Sequence, residues 1–488
     1  MSTEASGLQN QAPPVVVGQV PTSLADLGVP LDFISGLILR HLAAAGMISG
    51  GDLERRMGVP YEVFQPVIDE LVRTHLLEQS GYSNQPSLEG RPLPLRMNHS
   101  ISQAGRERVQ EMAQVQTRYT GPCPISLEAY VKLVLGQEES QPSVTPEMVS
   151  DAFAELELEP RILEEIGSAM SSRSSVFLYG PPGNGKSTIA RGMARLLGGP
   201  IDVPYAVCVG EEVIRVMDPI YHRPIVTEDS ADRRLLRVAR PVVRAGGELR
   251  FSQLEMTFDA TSRIYEAPLQ MKASGGVLVI DDFGRQLELP AQLLNRFIVP
   301  MEEAIDFLDL SATGQKVEVP FTCQIVFSTN LSPAQLVDEA FLRRIAYKVL
   351  VSDPTADMYT RILQHECARA GVPLPAQAIP FLISLYHGRP LRGSHPKQLV
   401  ARIVDRARHR GEQPEVTRES LLQAFDAYLN PAFAKEASRA AGGAPIPSAA
   451  PPRRPPPVFS TPAVPAVAAP NEAEPSAPAD EHDTAPGG

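Results

Sequence analysis

A run of eight residues, from Gly180 to Ser187, combines the residue types that bind phosphate groups. It reads Gly-Pro-Pro-Gly-Asn-Gly-Lys-Ser and fits the pattern G-x-x-x-x-G-K-S. The glycines let backbone N–H groups wrap around a phosphate, Lys186 adds a positive charge, and the Ser187 hydroxyl is a ligand for Mg²⁺. The predicted ATP–Mg²⁺-binding residues are Gly180, Pro181, Pro182, Gly183, Asn184, Gly185, Lys186, Ser187 and Thr188.

The segments on either side of this loop predict how it is positioned. Residues 176–179 are a short apolar, β-prone run, which is typical of a buried parallel strand. Residues 188–197 are predicted to be helical. The motif requires the order strand, glycine-rich loop, helix, because the helix N-terminus adds a partial positive charge next to the phosphates.

A second apolar run delivers two carboxylates. Residues 275–282 read Gly-Gly-Val-Leu-Val-Ile-Asp-Asp, so a predicted strand ends at Asp281 and Asp282. Ligands of open α/β sheets bind at the carboxyl ends of the strands. We therefore expect Asp281 to hold Mg²⁺ and Asp282 to act as the general base that polarises the attacking water.

A third predicted strand, residues 324–329, ends at the amide side chain of Asn330. Together the three motifs resemble the AAA+ ATPase family, and the resemblance covers about residues 145–432. It implies an ATP-hydrolysing enzyme in which Asn330 is sensor 1 and orients the lytic water. It also implies an arginine finger that reaches the neighbouring subunit, for which Arg344 is favoured and Arg343 is the alternative.

One residue departs from the family pattern. Most AAA+ proteins have Asp-Glu at the second motif, whereas this chain has Asp281-Asp282. The side chain that is shorter by one methylene group predicts either slower hydrolysis or a protein that binds ATP without turnover. Bacterial replication initiators and helicase loaders of the same family also carry Asp-Asp, so hydrolysis is the expected outcome.

The region after Asp353 resembles the helical lid of AAA+ proteins. Within it, the resemblance places sensor 2 at the start of the third lid helix, where Lys397 is the predicted residue and Arg392 the competitor. Either cation would add positive charge near the γ-phosphate. The predicted lid helices lie near residues 355–370, 376–387, 395–410 and 417–429.

Two extended regions predict insertions in the α/β domain. Residues 307–319 alternate in polarity and turn at Thr313-Gly314, which predicts a β-hairpin. A hairpin just before sensor 1 resembles the AAA+ clade of MoxR-like chaperones and bacterial enhancer-binding activators. Residues 202–216 predict a second hairpin, with its turn at Gly210.

The pattern of residues 23–115 resembles a winged-helix domain, with three helices and two strands that form a wing. The third helix, from Tyr61 to about His75, carries Glu62, Asp69 and Glu70 against Arg73. Insertion into a DNA groove needs the opposite balance of charge. We therefore favour a protein-docking domain over a DNA-binding one.

Composition supports this preference. The chain of 488 residues has a formal net charge of −12, which argues against a protein built mainly to neutralise nucleic-acid phosphates. Its four cysteines lie far apart and no apolar run approaches the length of a membrane span, so we expect a cytoplasmic protein without membrane insertion.

The predicted organisation is a disordered segment (1–22), a winged-helix-like domain (23–115), a linker (116–145), an α/β ATPase domain with a parallel sheet (146–352), a helical lid (353–432) and a Pro/Ala-rich disordered tail (433–488).

Three functions fit these observations. The first is ATP-driven remodelling of protein complexes, in a chaperone-like way, by a homo-oligomer that acts on an unknown protein client. The resemblance implies a hexameric ring. The alternative is a nucleic-acid-acting regulator or loader whose winged helix binds DNA. The third is a scaffold gated by ATP that barely hydrolyses it, which the motifs at Asn330 and Arg344 disfavour because a pure binder needs neither group.

Overall fold

The computed structural model describes the greater part of the chain. The described residues are 20–83, 88, 90–225, 232–336, 342–386 and 389–429. The predicted disordered segments, 1–22 and 433–488, lie outside these residues apart from residues 20–22.

The N-terminal unit contains helices and one small antiparallel sheet. Its elements are α1 (Leu24–Leu27), α2 (Leu31–Ala45), β1 (Met47–Ser49), α3 (Gly50–Met57), α4 (Tyr61–Arg73), β2 (Leu77–Tyr82), α5 (Leu93–Arg96), β3 (Met97–Ile101) and α6 (Gln103–Val115). The strand order is β1-β3-β2, so the two predicted strands are joined by a third. Strand β3 begins only at Met97, because Pro92 and Pro94 lack the N–H that a strand needs and the residues before Met97 form the short helix α5.

The predicted linker, residues 116–145, contains regular structure. It holds β4 (Ile125–Ser126) and α7 (Leu127–Glu139). Tyr130, Leu133 and Val134 of α7 are buried in a hydrophobic cluster. The prolines that suggest a linker lie on either side of this helix, while the three apolar residues have the spacing of one helix face.

A mixed α/β unit follows. Its helices are α8 (Pro146–Ala152), α9 (Pro160–Ser171), α10 (Lys186–Met193), α11 (Leu269–Lys272), α12 (Pro290–Glu303) and α13 (Pro333–Leu336). Its strands are β5 (Val176–Tyr179), β6 (Ile201–Pro204), β7 (Ala206–Val209), β8 (Glu212–Arg215), β9 (Leu235–Val238), β10 (Val242–Ala245), β11 (Thr257–Asp259), β12 (Ile264–Glu266), β13 (Val277–Ile280), β14 (Ile305–Leu310), β15 (Gln315–Pro320), β16 (Gln324–Thr329) and β17 (Tyr347–Leu350).

Five of these strands form the central sheet, in the order β10-β13-β16-β5-β17. All of its neighbouring pairs are parallel. Apolar clusters cover the sheet, with Leu178 and Val279 in one and Phe177 and Phe327 in the other. Burial on both faces explains the continuous apolar runs in the sequence. The predicted α/β fold with a parallel sheet is confirmed.

The two predicted hairpins are also confirmed. Strands β14 and β15 pair in an antiparallel ladder, in which Ile305 lies opposite Pro320 and Leu310 lies opposite Gln315. Gly314 adopts a positive φ of 68° in the turn. Strands β7 and β8 pair around Gly210. They belong to a second five-stranded sheet, in the order β11-β12-β8-β7-β4, while β6 pairs with β9.

Four helices end the described chain. They are α14 (Ala356–Ala370), α15 (Ala378–Leu385), α16 (His395–Arg410) and α17 (Arg418–Leu429), within three residues of the predicted boundaries. One buried cluster, which includes Leu363, Leu382, Leu399 and Leu421, joins them. Across the described residues no helix is both long and apolar enough to cross a membrane.

A buried polar network holds the base of the β14–β15 hairpin. The Arg296 guanidinium on α12 donates to both carboxylate oxygens of Asp306, at 2.7 and 3.1 Å. The Gln270 amide donates to the same carboxylate at 2.9 Å. Asp306 is buried, whereas Asp309 on the same strand is exposed and lies 3.7 Å from Lys316.

We expect Asp306→Ala to destabilise the protein by about 3–5 kcal/mol, because it leaves the buried Arg296 cation without its main partner. The matched change Asp309→Ala removes only an exposed pair and should cost less than about 1 kcal/mol. Denaturant unfolding followed by circular dichroism measures both. Equal midpoints for the two variants would show that the buried network contributes no more than the exposed pair.

Candidate nucleotide site

The glycine-rich loop joins β5 to α10 and has the backbone that its glycines permit. Gly180, Gly183 and Gly185 adopt positive φ values of 135°, 86° and 84°. A Cβ atom on Gly180 would collide with the carbonyl oxygen of Val351. Helix α10 begins at Lys186, and the N–H of Thr188 donates to the Gly185 carbonyl at 2.8 Å. The loop is therefore a backbone cradle at the N-terminus of a helix, which suits an anion.

The Lys186 ammonium lies inside this loop. It donates to the carbonyl oxygens of Gly180 and Pro181, at 2.8 and 2.9 Å, and to Oδ1 of Asn330 at 2.7 Å. Burial lowers the pKa of Lys186, and the nearby Asp281 and Asp282 carboxylates partly oppose that shift. The ammonium is thus held by neutral oxygens, which phosphate oxygens can replace.

Ser187 and Asp281 lie side by side at the end of β13. The Ser187 hydroxyl donates to Oδ2 of Asp281 at 2.8 Å. Burial raises the pKa of Asp281, but hydrogen bonds from Ser187 and Ser328 and the charge of Arg244 outweigh it, so the pKa lies below its usual value. Asp281 is therefore a carboxylate at neutral pH.

This pair fits Mg²⁺. Mg²⁺ prefers oxygen ligands at about 2.1 Å in an octahedron, which places adjacent ligands about 3 Å apart. The 2.8 Å between Ser187 Oγ and Asp281 Oδ2 is close to that spacing. Within the described parts of the chain no three His, Cys, Asp or Glu residues group into a metal site. A metal held here would take its other ligands from phosphate and water, as Mg²⁺ usually does.

The side chains of Asp282 and Asn330 also meet. The Asn330 amide donates to Oδ1 of Asp282 at 3.1 Å, while its oxygen accepts from Lys186. Asp282 is exposed and has a positive φ of 50°, a conformation that Asp tolerates better than most residues. Its carboxylate is accessible to water beside the lysine, as a general base would be.

The C-terminal four-helix region reaches the loop at Arg392 and Gly393, rather than at Lys397. Arg392 forms an ion pair with Asp353, and the Asn184 amide donates to the same carboxylate at 2.7 Å. The N–H of Gly393 donates to Oδ1 of Asn184 at 3.1 Å. Lys397 is exposed, and among the described residues no hydrogen bond or ion pair joins it to the loop. The structure therefore places the competitor, Arg392, next to the nucleotide site.

The two candidate finger residues lie before β17, apart from this group. Both Arg343 and Arg344 are exposed, and Arg344 Nε donates to Glu302 on α12 at 2.7 Å. Residues 337–341, which precede them in the motif, lie outside the described residues.

Sequence reasoning missed Arg244. Its guanidinium donates to Oδ2 of Asp281, through Nε at 2.9 Å and also through a terminal nitrogen. A charged residue in the otherwise apolar run Val242–Ala245, followed by Gly246-Gly247, was a signal. This signal could be interpreted only when the register of β10 against β13 was known.

Comparisons with known proteins give limited similarity. A family model described as a domain of unknown function (DUF8689) matches residues 355–427, which form most of the four-helix region. A search of curated proteins finds no match.

Among solved structures, NtrX from Brucella abortus in complex with ATP has 14% identity and a TM-score of 0.35, over 58% of this chain and 61% of NtrX. The RuvB Holliday junction branch migration motor from Thermotoga maritima has 13% identity and a TM-score of 0.33, over 62% of this chain and 79% of RuvB. The chain therefore spans about three fifths of NtrX. At this similarity the solved structures carry no information on function, and the side chains of the candidate site are the remaining basis for it.

We expect Arg392→Ala to weaken the binding of a slowly hydrolysed ATP analogue roughly ten- to a hundredfold, while the affinity for ADP, which has no γ-phosphate, changes little. The expected loss corresponds to one charged hydrogen bond to the γ-phosphate. Lys397→Ala, a nearby loss of one positive charge, should leave both affinities unchanged. Calorimetric titrations compare the two variants. If Lys397→Ala alone lost the preference for ATP, the original prediction of Lys397 would stand.

Proposed function

We propose that this protein is an AAA+ ATPase that binds and hydrolyses ATP with Mg²⁺. One observation carries the proposal: Lys186, Ser187, Asp281, Asp282 and Asn330 converge at the carboxyl edge of the parallel sheet, joined by hydrogen bonds of 2.7–3.1 Å. A structural polar cluster would not need this loop, whose backbone N–H groups and lysine suit phosphate oxygens.

Each group has a chemical task in this proposal. The loop and Lys186 bind the β- and γ-phosphates, and Ser187 and Asp281 hold Mg²⁺, which neutralises charge on those phosphates. Asp282 accepts the proton of the attacking water. Asn330 orients that water, because its amide lies between Lys186 and Asp282. Asp282 can reach a water molecule although its side chain is shorter than the usual Glu, since its carboxylate is exposed.

The arginine finger is proposed to act between subunits. Arg344 and Arg343 are exposed, which suits a group that contacts the phosphates of another copy. The proposed assembly is therefore a homo-oligomer, a hexameric ring as in the resembling family. The four cysteines are free and buried, which fits a reducing compartment, and we place the protein in the cytoplasm.

We further propose that the N-terminal unit is a winged-helix domain that docks a protein client. The exposed residues of α4 include Glu62, Asp69 and Glu70, and Arg73 at the end of the helix pairs with Glu70 at 2.6 Å, so Glu62 and Asp69 leave the helix with a net negative charge. A helix with this charge would be repelled by DNA phosphates. This acidic surface supports chaperone-like remodelling of protein complexes over action on nucleic acid.

The way in which the N-terminal unit packs supports a mechanical role. The turn after α3 lies against the ATPase unit, where a Cβ atom on Gly58 would be 2.9 Å from the Arg233 carbonyl. Leu53 and Phe64 of the N-terminal unit share one buried cluster with Val213 and Ile264 of the second sheet. A client bound to the N-terminal unit is thereby connected to the ATPase unit through a packed core.

We expect Arg344→Ala to leave ATP binding intact and to reduce turnover by about 10³–10⁵-fold, the usual effect of removing an arginine that stabilises charge in the transition state. Lys186→Ala should lose binding and turnover together. Steady-state hydrolysis and equilibrium binding separate the two. A normal rate in Arg344→Ala combined with an inactive Arg343→Ala would identify Arg343 as the finger, and unchanged affinity in Lys186→Ala would refute the loop assignment.

We expect Asp282→Asn to trap the ATP-bound state, because ATP still binds while the base is absent. Purification of this variant in ATP, with Lys186→Ala as the control, should enrich a protein client only in the trap. If nuclease-sensitive DNA were enriched in place of a protein, the remodelling proposal would be overturned, and the winged helix would be identified as a DNA-binding domain.

A further inference from the structure

The carboxylate of Asp281 is already hydrogen-bonded at both of its oxygens. Its Oδ2 atom accepts from Ser187 at 2.8 Å and from two nitrogens of Arg244, of which Nε lies at 2.9 Å. Its Oδ1 atom accepts from the N–H of Asp282 at 3.1 Å. An ion that bound to the Ser187 side of Oδ2 would have to take a coordination position that hydrogen bonds now fill.

The register of the sheet places Arg244 there. Strand β10 is an edge strand and pairs in parallel with β13, with Arg244 opposite Val279 and Ala245 opposite Ile280. The N–H of Asp281 donates to the Ala245 carbonyl at 2.7 Å. Asp281 is therefore fixed by the backbone, and Arg244 extends past the end of the ladder to reach its side chain.

The two partners differ in their freedom to move. The Asp281 side chain is 6% exposed, whereas the Arg244 side chain is 57% exposed. An arginine that is more than half exposed regains water when it leaves the pair, so its departure costs little. Arg244 is the partner that can leave, and Asp281 is the partner that stays.

We propose that Arg244 is a displaceable competitor of the metal ion at Asp281. The guanidinium neutralises Asp281, and it thereby lowers the affinity of the Ser187–Asp281 pair for a divalent cation that arrives without nucleotide. The phosphates of a nucleotide supply the further ligands that let the cation displace Arg244. The inference rests on the proposed ATPase function and adds a positioning residue that makes metal entry depend on nucleotide.

The test is a titration of the nucleotide-free, full-length protein with Mn²⁺ as the probe, followed by electron paramagnetic resonance. We expect Arg244→Gln to bind Mn²⁺ about two- to fivefold more tightly than the unmodified protein, because an exposed competing charge is gone. Arg244→Lys, which keeps the charge, should fall between the two. Arg250→Gln is the matched control, since Arg250 is exposed on the loop that follows β10, and it should leave Mn²⁺ affinity unchanged.

The double variant Arg244→Gln/Asp281→Asn should lose the gain, which locates the ion at Asp281. Equal or weaker Mn²⁺ binding by Arg244→Gln, or no measurable binding by either protein, overturns the inference. A thermal melt of each variant verifies that it folds. Binding of ADP in the presence of a chelator tests the ATPase proposal separately: a protein that binds ADP but shows no effect of Arg244 refutes only the role of Arg244.

Discussion

The alignment of three parallel strand ends is the constraint on which the candidate nucleotide site depends. Strands β5, β16 and β13 are neighbours in the sheet, and their carboxyl ends lead to the glycine-rich loop, Asn330 and Asp281, respectively. None of these groups has the right chemistry alone. Only the shared edge brings a cationic lysine within 2.7 Å of an amide that itself contacts Asp282. A slip of β16 by one residue would turn its side chains to the opposite face and separate the group.

The two charged groups at the centre of the site, Asp281 and Lys186, have different kinds of partner. Asp281 is neutralised by Arg244, while among the described residues the ammonium of Lys186 is hydrogen-bonded to the neutral oxygens of Gly180, Pro181 and Asn330. Negative phosphate oxygens compete well for the lysine, because hydrogen bonds between charged groups are roughly twice as strong as neutral ones. A divalent cation alone meets a carboxylate that is already paired. The arrangement therefore favours nucleotide and metal arriving together.

What the sequence could predict depended on how local each signal was. The glycine-rich loop, the hairpin turn at Thr313-Gly314 and the four C-terminal helices are each encoded within about twenty consecutive residues. The structure has them where the patterns place them. The helix within segment 116–145 was not predicted, because the prolines of the segment are a strong local signal and the partner of the helix is distant. Gln137 exchanges hydrogen bonds with the backbone of Asp202 at 2.6 and 3.1 Å.

The same reasoning explains the two arginines that pattern alone could not place. Arg392 is next to the loop because Gly393 bonds to Asn184, a contact across 209 positions of sequence. Arg244 meets Asp281 because β10 and β13 are neighbours, although 37 positions separate the two residues. Neither contact has a periodicity or a spacing motif. Such positions become predictable only when the strand order is known.

A buried set of contacts connects the second sheet to the strand that carries Asp281. Lys272 of α11, five residues before β13, lies 2.8 Å from Asp218 and 3.2 Å from Glu266 of β12. The ring of His222 bonds to the Lys272 carbonyl at 2.8 Å, so the same segment is held from two sides. Ile264 of β12 belongs to the core of the N-terminal unit. Because packed interiors transmit displacement rather than absorb it, these contacts tie β13, α11, β12 and the N-terminal unit into one continuous packed region.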